Sequence, residues 1–438
     1  MLLKEKNYFI LVFIHVILGF IIFNNPRLSV IYTILIFIVS FYFVIKTKNR
    51  NNEVLYAAAY IVGSEVFLRM TEGGILYEFG KYGVIIFTII GMLYSGFSKN
   101  ALSYWIFLIL LIPGVFIAME TLDFGTEIRK TIIFNISGPV SLGVASLYTY
   151  NRKISINELN NILLLIGLPI ISCAIYITLY IPDLKSVLTG NASNVETSGG
   201  FGPNQVATIL GLGMFVFFSR LLFASSTRLL FIINLSLGLL MTYRGLVTFS
   251  RGGMITGFVM FVVLSCFVYF YTKQKLKLNY FFGIFITAFI LIFSFSEYQT
   301  GGLMTKRYAN QDAMGRTKES NLSGREVIAE FEINSFLEHP FFGIGVAKGL
   351  ELRRDVSGEA IASHNEITRM MAEHGALGIL ALLILLFTPI FLFLDNRQHV
   401  YMLSFLLFWL LTINHAAMRI AAPSFVYALS LLKVHFNE

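Results

Sequence analysis

The chain has 438 residues, of which 56% are hydrophobic and only 13% are charged. Its 43 Phe and 21 Tyr exceed what a soluble core of this size holds, so the composition predicts a protein that has lipid as its solvent. The formal charge of +8 does not indicate a nucleic-acid partner, because Lys and Arg fall in short clusters between apolar runs, where they orient a membrane protein.

Apolar runs long enough to cross a hydrocarbon core of about 30 Å predict about fourteen transmembrane helices, so the fold class is all-α, a polytopic membrane bundle. No small-residue cleavage site follows Lys4 and Lys6, and a retained first helix is expected. Twelve or thirteen helices are left open, because two runs are short and the last two are closely spaced. The predicted spans are 8–23, 29–45, 54–68, 82–94, 101–118, 131–149, 162–181, 203–218, 229–242, 253–271, 279–297, 375–394, 400–414 and 420–432.

The distribution of Lys and Arg predicts the orientation of the bundle. Fifteen lie on one side of these spans and nine in short segments on the other, which places both termini in the cytoplasm. The organisation is then a bundle over 1–297, an extracytoplasmic loop over 298–374 and three final spans over 375–438. Within the loop, Gly324–Leu337 has the spacing of an amphipathic helix on the membrane surface.

Two features argue against a metal or another cofactor. Cys173 and Cys266 each lie inside an apolar run, which is typical of a small buried hydrophobic residue and not of a disulfide or metal ligand. The sequence also contains no Asp-x-Asp motif and no spacing typical of metal ligands. No cofactor is expected.

Polar residues near a membrane face are candidates for function, because their burial is costly unless they are paired or wet. Arg251 opens a predicted span on the outer side, after Ser250 and before Gly252, and its planar fork of donors suits phosphate. The alternative is an arginine that only reaches the interface from a helix end. Glu65 and Arg69, one turn apart, are interpreted as a local ion pair.

Two further segments carry candidate residues. His364, in Ser363-His364-Asn365-Glu366, lies before Glu373-x-Gly375 at the mouth of a span; in a helix it would share a face with Thr368 and point at the bundle. A histidine there can accept a proton near neutral pH, although a capping or structural role is the alternative. Gly199–Gln205 is a breaker-rich turn that runs into a span, and its helix N-terminus could cradle an anion.

Together these segments resemble the O-antigen ligase and polymerase superfamily. The resemblance covers about residues 195–420, while the first 190 residues are similar only in being hydrophobic helices. The motifs that carry it are Gly-Pro-Asn at 202–204, Ser-Arg-Gly-Gly at 250–253, His-Pro-Phe-Phe-Gly-Ile-Gly at 339–345, and His-Asn at 364–365 ahead of Glu373-x-Gly375-x-x-Gly378.

The resemblance implies a metal-independent glycosyltransferase of the bacterial inner membrane whose site faces the periplasm. Its donor would be an undecaprenyl-diphosphate-linked glycan and its acceptor a hydroxyl of lipid A core or of a second glycan. His364 matches the catalytic histidine of the ligase members, and Arg251 matches an arginine that holds the diphosphate. Members often carry an arginine where this chain has Glu196–Ser198, so Arg129, Arg244 and Arg325 are candidates for a second positive charge. Supporting roles are expected for Asn204, Ser250, Gly252, Asn365 and Glu373.

Such a mechanism is chemically sufficient, because a diphosphate on an anomeric carbon is already a good leaving group. The enzyme then has to stabilise the leaving charge, position the acceptor and take up one proton. Ligase, polymerase and transfer to a protein hydroxyl remain open. A transporter or flippase of lipid-linked sugars is the alternative from another class; it predicts internal repeats and polar sites at the bilayer midplane, whereas the polar residues here cluster at one face.

Overall fold

The computed structural model describes residues 5–181, 183–188, 190–271, 275–318, 325–357 and 363–436. Helices dominate, so the all-α prediction is confirmed. The helices are α1 (Glu5–Asn24), α2 (Leu28–Thr47), α3 (Glu53–Met70), α4 (Phe79–Ser95), α5 (Leu102–Leu110), α6 (Ile112–Thr121), α7 (Ile128–Thr149), α8 (Ile156–Tyr180), α9 (Leu184–Val187), α10 (Pro203–Phe223), α11 (Arg228–Val247), α12 (Arg251–Tyr271), α13 (Lys275–Gln299), α14 (Leu303–Tyr308), α15 (Arg325–Glu338), α16 (Lys348–Ser357), α17 (Glu366–Asp395), α18 (Met402–Ile413) and α19 (Ala422–Leu429).

Each of the fourteen predicted spans overlaps one of these helices. Among the described residues, ten helical segments are long and apolar enough to cross a membrane: α1, α2, α5 with α6, α7, α8, α10 with the turn before it, α11, α12, α13 and α17. The remaining predicted spans correspond to α3, α4, α18 and α19, which are shorter or more polar. The count of fourteen therefore stays a prediction.

The centre of the bundle is formed by α8 and α10, and most of the residues in these two helices are buried. The outer helices expose apolar side chains such as Phe13, Ile31 and Leu291, as expected for surfaces that face lipid. Cys173 is buried in α8, but Cys266 is exposed on α12, so the expected burial is wrong for Cys266. The physical reason is that an apolar run in a membrane protein faces lipid as readily as it faces the protein core.

A short parallel sheet, which the sequence reading does not include, joins two distant parts of the chain. Strand β1 (Lys153–Ser155) pairs with β2 (Lys433–His435), and Ile154 lies opposite Val434. Ser155 then caps α8 in a capping box with Glu158, in which each side chain bonds the other residue's backbone N–H. The C-terminal end of the chain is thereby attached to the start of the central helix α8.

Helices α10 and α12 approach each other unusually closely. A Cβ atom added to Gly257 would overlap the carbonyl oxygen of Gly211, and one added to Gly211 would overlap that of Gly253. Small residues spaced four apart allow such contact between membrane helices. The contact sets the start of α12, and with it Arg251 and Gly252, beside the start of α10.

The segment between α13 and α17 contains α14, α15 and α16. Helix α15 occupies most of the predicted amphipathic stretch, although Gly324 lies outside the described residues. Its buried positions are polar, Glu332 and Ser335, while Val327 and Leu337 are exposed. Helix α17 begins at Glu366, before the predicted boundary, but it breaks at Gly375, where φ is +61°. The side of the membrane on which this segment lies stays a prediction, as do the three predicted regions.

The close contact between α10 and α12 predicts that Gly257→Ala destabilises the protein by about 1–3 kcal/mol, because the added methyl overpacks a backbone contact. Gly283→Ala on α13 is the matched control: nothing lies within 4 Å of its added Cβ, and alanine favours a helix over glycine. Thermal unfolding of both variants in detergent measures the difference. Equal melting temperatures for the two variants would contradict the packing argument.

Candidate functional site

Two of the sequence motifs meet at the paired starts of α10 and α12. The Ser250 hydroxyl donates to the Asn204 side-chain oxygen at 2.8 Å. Phe249, just before, has φ of +55°, a left-handed conformation that turns the chain into α12. Gly252 packs against the ring of His415, where a Cβ atom would overlap the imidazole. His415 in turn contacts the Thr208 hydroxyl of α10 at 3.3 Å.

Three arginines from three separate segments converge beside this junction, and we call Arg251, Arg307 and Arg325 the arginine cluster. Arg251 donates through Nη1 to the carbonyl oxygen of Arg307 at 3.3 Å, and Arg307 donates through Nε to that of Phe249 at 3.0 Å. Arg325, the first residue of α15, donates through Nη1 to the carbonyl oxygen of His415 at 3.1 Å. Backbone carbonyls thus hold guanidinium groups of like charge near one another.

The electrostatics of the arginine cluster favour an anion. Burial, followed by the charges of Arg251 and Arg325, lowers the pKa of Arg307. Burial and the charge of Arg251 likewise lower the pKa of Arg325. In the described part of the chain, neither Arg307 nor Arg325 forms an ion pair with a carboxylate. A bound anion would relieve this mutual repulsion.

His364 lies next to the arginine cluster, immediately before α17. Asn365 is the N-cap of that helix, and its side chain accepts from the backbone N–H of Ile367 at 2.9 Å. The helical geometry considered for His364 in the sequence is therefore wrong, because the helix begins two residues later. The chain is held here by two backbone contacts: Ala417 N–H donates to the His364 carbonyl at 3.1 Å, and Arg419 donates to the Ser363 carbonyl at 2.8 Å.

The His364 imidazole is half-buried, and its Nδ1 atom has no hydrogen-bond partner among the described residues. Burial, with the charges of Arg419 and Arg325 and the nearby His415, lowers the pKa of His364 to about 4. The ring is therefore neutral at pH 7 and can accept a proton. Burial also lowers the pKa of His415 to about 4, but its Nδ1 is already engaged by the Leu411 carbonyl at 2.8 Å.

Carboxylates near His364 are engaged in ion pairs. Glu332 of α15 contacts Arg353 at 3.2 Å and accepts hydrogen bonds from Thr368 and Ser363 at 2.6 and 3.3 Å. Glu373 contacts Arg369 at 3.2 Å and accepts from the backbone N–H of Ala347 at 2.9 Å. Glu373 therefore attaches the loop around Ala347 to α17.

The His-Pro-Phe-Phe-Gly-Ile-Gly motif packs against the break in α17. The backbone N–H of Ala376 donates to the Pro340 carbonyl at 2.7 Å, and that of Ile344 donates to the Ala372 carbonyl at 2.9 Å. Gly343 has φ of +74°, and a Cβ there would overlap backbone atoms of α17. The interruption at Gly375 leaves backbone groups of α17 without partners inside the helix, and residues of this motif form hydrogen bonds with them.

The structure separates the three candidates for a second positive charge. Arg325 lies beside Arg251, as described above. Arg244 lies elsewhere: its Nε donates to the Thr178 hydroxyl at 2.9 Å, and its guanidinium is 5.1 Å from the centroid of the Tyr243 ring. Arg129 is exposed on α7 at the rim of a neighbouring cavity. Glu196–Ser198 form a 3-10 turn before α10.

That neighbouring cavity has a volume of about 880 Å³ and adjoins His364 through Ser363 and Arg419, which both line it. Its wall combines the aromatic rings of Tyr77, Tyr82 and Phe134 with charged side chains. These are Glu78, Glu127, Arg129, Lys130, Arg353, Glu366, Arg369, Glu373 and Arg419. No group of three or more His, Cys, Asp or Glu side chains in the described residues is arranged to hold a metal ion.

The predicted ion pair of Glu65 and Arg69 is present at 2.8 Å, and it reaches further than a local pair. Glu65 accepts from the backbone N–H of Ala421 at 2.6 Å, and Arg69 donates to the Arg419 carbonyl at 3.2 Å. The pair thus holds the connection between α18 and α19, which carries His415 and Arg419.

Sequence reasoning missed Arg307, His415 and Arg419 as site residues. One signal was present: Asn-His-Ala-Ala-Met-Arg at 414–419 places two basic side chains in a short connection on the same predicted face as Arg251. Arg307 had no local signal, because only the folding of the segment after α13 brings it to Phe249.

The helices and the arginine cluster define a helical membrane protein with a cationic site at one end of its bundle. Residues 236–383, about a third of the chain, match a family model described as O-antigen ligase. This match confirms the resemblance to the O-antigen ligase superfamily that the motifs show. It includes Arg251, Arg307, Arg325 and His364. A search of the curated proteins found no match.

Family and fold together indicate a bacterial membrane enzyme that processes glycans, with a lipid-linked glycan and an acceptor as its general partners. The family is typical of ligase- or polymerase-type glycosyl transfer.

If the arginine cluster is an anion site, inorganic pyrophosphate should bind the purified protein, and Arg325→Gln should weaken that binding by about tenfold or more, since a charge-assisted hydrogen bond is lost. Arg244→Gln serves as the control, because Arg244 contacts Thr178 and not the cluster. Isothermal titration calorimetry in detergent measures both. Equal weakening by the two substitutions would show that the effect is one of general charge.

Proposed function

We propose that this chain is a metal-independent membrane glycosyltransferase that moves a glycan from an undecaprenyl-diphosphate carrier to an acceptor hydroxyl during surface polysaccharide assembly. The observation that carries the proposal is the convergence of Arg251, Arg307 and Arg325 next to a neutral histidine, His364. The arginine cluster suits the binding of a diphosphate, and the His364 imidazole suits the uptake of a proton from an incoming hydroxyl.

In this reaction the bond between the anomeric carbon and the diphosphate oxygen breaks, and its electron pair stays on that oxygen. The arginine cluster stabilises the charge, because guanidinium groups form paired, charge-assisted hydrogen bonds with phosphate oxygens. A bond forms between the acceptor oxygen and the anomeric carbon, and the acceptor proton passes to the His364 imidazole. The histidine later releases that proton to solvent.

The cavity of about 880 Å³ beside Ser363 is the proposed place for the acceptor. Its aromatic rings offer apolar faces to sugar rings, and its charged side chains offer hydrogen bonds to hydroxyl groups. The acceptor proposed first is lipid A core, as in a ligase, and a second lipid-linked glycan, as in a polymerase, is the alternative within the same chemistry. The site is proposed to face the periplasm from the inner membrane.

A non-enzymatic flippase or transporter is the competing function. Deletion of the chain distinguishes the classes by the intermediates that accumulate on the carrier: long glycans for a ligase, single units for a polymerase, and cytoplasm-facing precursors for a flippase.

Replacement of His364 tests the mechanism. His364→Ala should reduce glycan transfer by about 10²–10⁴-fold, as is typical of a lost general base, while donor binding survives. His339→Ala is the control, because His339 is exposed at the end of α15 and should be dispensable for turnover. Transfer from purified lipid-linked donor, normalised to folded protein, compares the two. Near-normal turnover of His364→Ala would remove the base and leave an arginine clamp.

The pH profile tests the same residue independently. In the donor-free protein the pKa of His364 is about 4, so its imidazole is neutral above that pH and becomes charged, and inactive as a base, as pH falls through it. A bound diphosphate adds negative charge and should raise this pKa. The acidic limb of kcat is therefore expected at higher pH than that of kcat/KM, which reports the free enzyme. Superimposed limbs would refute this coupling.

A further inference from the structure

A second polar cavity lies at the opposite end of α10 from the arginine cluster. Arg220 stands seventeen residues after Pro203, which corresponds to about 25 Å along the helix. The cavity around Arg220 has a volume of about 520 Å³, and its wall comes from α1, α8, α10, the connection after α10 and α11. It is separate from the site proposed for glycan transfer.

Arg220 brings a positive charge into this cavity. Its side chain is buried, with 6% of the residue exposed, and its guanidinium lies 4.7 Å from the centroid of the Tyr8 ring. Its Nε donates to the Asn234 side-chain oxygen at 3.3 Å. Its Nη1 has no hydrogen-bond partner in the part of the chain that the structure describes. Because buried charged donors are normally satisfied, Nη1 calls for an acceptor beyond the described residues.

The same cavity carries a negative charge at its edge. Glu5 lines it, is exposed, and accepts a hydrogen bond from the Thr227 hydroxyl. Although Glu5 and Arg220 line one cavity, no ion pair joins them among the described residues. An occupant that carries an anionic and a cationic group would complement both side chains.

An apolar groove lies beside this cavity, on the same two helices. It has a volume of about 480 Å³ and is lined by Phe9, Ile10, Val12, Phe13, Leu229 and Ile233. Tyr8 and Leu230, the chain neighbours of Phe9 and Leu229, line the polar cavity. The two spaces are therefore adjacent along both α1 and α11. A polar end and an apolar groove on a lipid-facing surface match the shape of a phospholipid.

We propose that the cavity and the groove bind one glycerophospholipid with a zwitterionic headgroup. Its phosphate contacts Arg220, its primary ammonium contacts Glu5, and an acyl chain lies between Phe13 of α1 and Ile233 of α11. These four side chains come from three helices: Glu5 and Phe13 from α1, Arg220 from α10 and Ile233 from α11. The bound lipid would therefore join α1 to α10 and α11.

Binding of short-chain phospholipids to the purified full chain in detergent tests this assignment. Phosphatidylethanolamine, which has phosphate and ammonium N–H groups, should bind more tightly than phosphatidylcholine, which lacks those N–H groups, and phosphatidylglycerol, which lacks the cation. Glu5→Gln should reduce the preference for phosphatidylethanolamine over phosphatidylglycerol by about tenfold, since one charge-assisted hydrogen bond is lost. Arg220→Gln should weaken all three lipids, and Arg228→Gln, an exposed arginine outside the cavity, should weaken none.

If Arg220→Gln does not fold, Ser226→Trp decides the question. Ser226 is exposed and lines the cavity, so a tryptophan there should block the headgroup while the core stays intact. Unchanged lipid binding by Ser226→Trp and Glu5→Gln would overturn the proposal. Free phosphoethanolamine that binds as tightly as the lipid would also overturn it, because the site would then recognise a soluble zwitterion and not a membrane lipid.

Discussion

The close contact of α10 with α12 is the constraint on which the candidate site depends. Gly211, Gly253 and Gly257 leave no room for side chains between the two backbones. Because water is absent from the hydrocarbon core, such packing, and not the hydrophobic effect, holds membrane helices together. The contact fixes the two helix starts relative to each other, so Asn204 meets Ser250 and Arg251 is aimed from a rigid helix and not from a loop.

Ion pairs outside the arginine cluster hold the other segments of the site in position. Glu65 with Arg69 holds the α18–α19 connection, and Glu332 and Glu373, each paired with an arginine, hold the segment around His364. Buried ion pairs contribute little net stability but are costly to break, so they specify position. With these carboxylates engaged in pairs, positive charge accumulates at Arg307 and Arg325. The site thus carries excess positive charge, and the networks around it pair each carboxylate with an arginine.

The sequence predicts those parts of the fold that lipid dictates. An apolar run at 253–271 becomes α12 and one at 279–297 becomes α13, because every backbone group in hydrocarbon must be bonded within a helix. The same argument cannot say which face of a run meets lipid. The predicted burial of Cys266 is wrong for this reason, because that side chain is exposed. That argument also cannot locate the break at Gly375, because the backbone groups freed there bond Pro340 and Ile344, which lie far earlier in the chain.

For the site, local motifs identified Arg251 and His364 but not their neighbours. Arg325 was one of three candidates, and only tertiary packing separates it from Arg244, which lies against Thr178. Arg307 and His415 reach the site through backbone contacts over long sequence distances, with Phe249 and Arg325 respectively. Such pairings leave no periodic signal in a single sequence, because neither partner constrains its own neighbours.

Under the proposed function, repulsion within the arginine cluster also shapes catalysis. An interaction accelerates a reaction only if it is stronger in the transition state than with bound substrate. The diphosphate oxygen gains negative charge as the glycosidic bond breaks. A cluster of like charges, held by carbonyls and, among the described residues, with no carboxylate paired to Arg307 or Arg325, therefore responds most strongly at that point. The released carrier diphosphate is more negative than the donor and should bind more tightly. Departure of that product, and not transfer itself, is then the step that the arginine cluster slows.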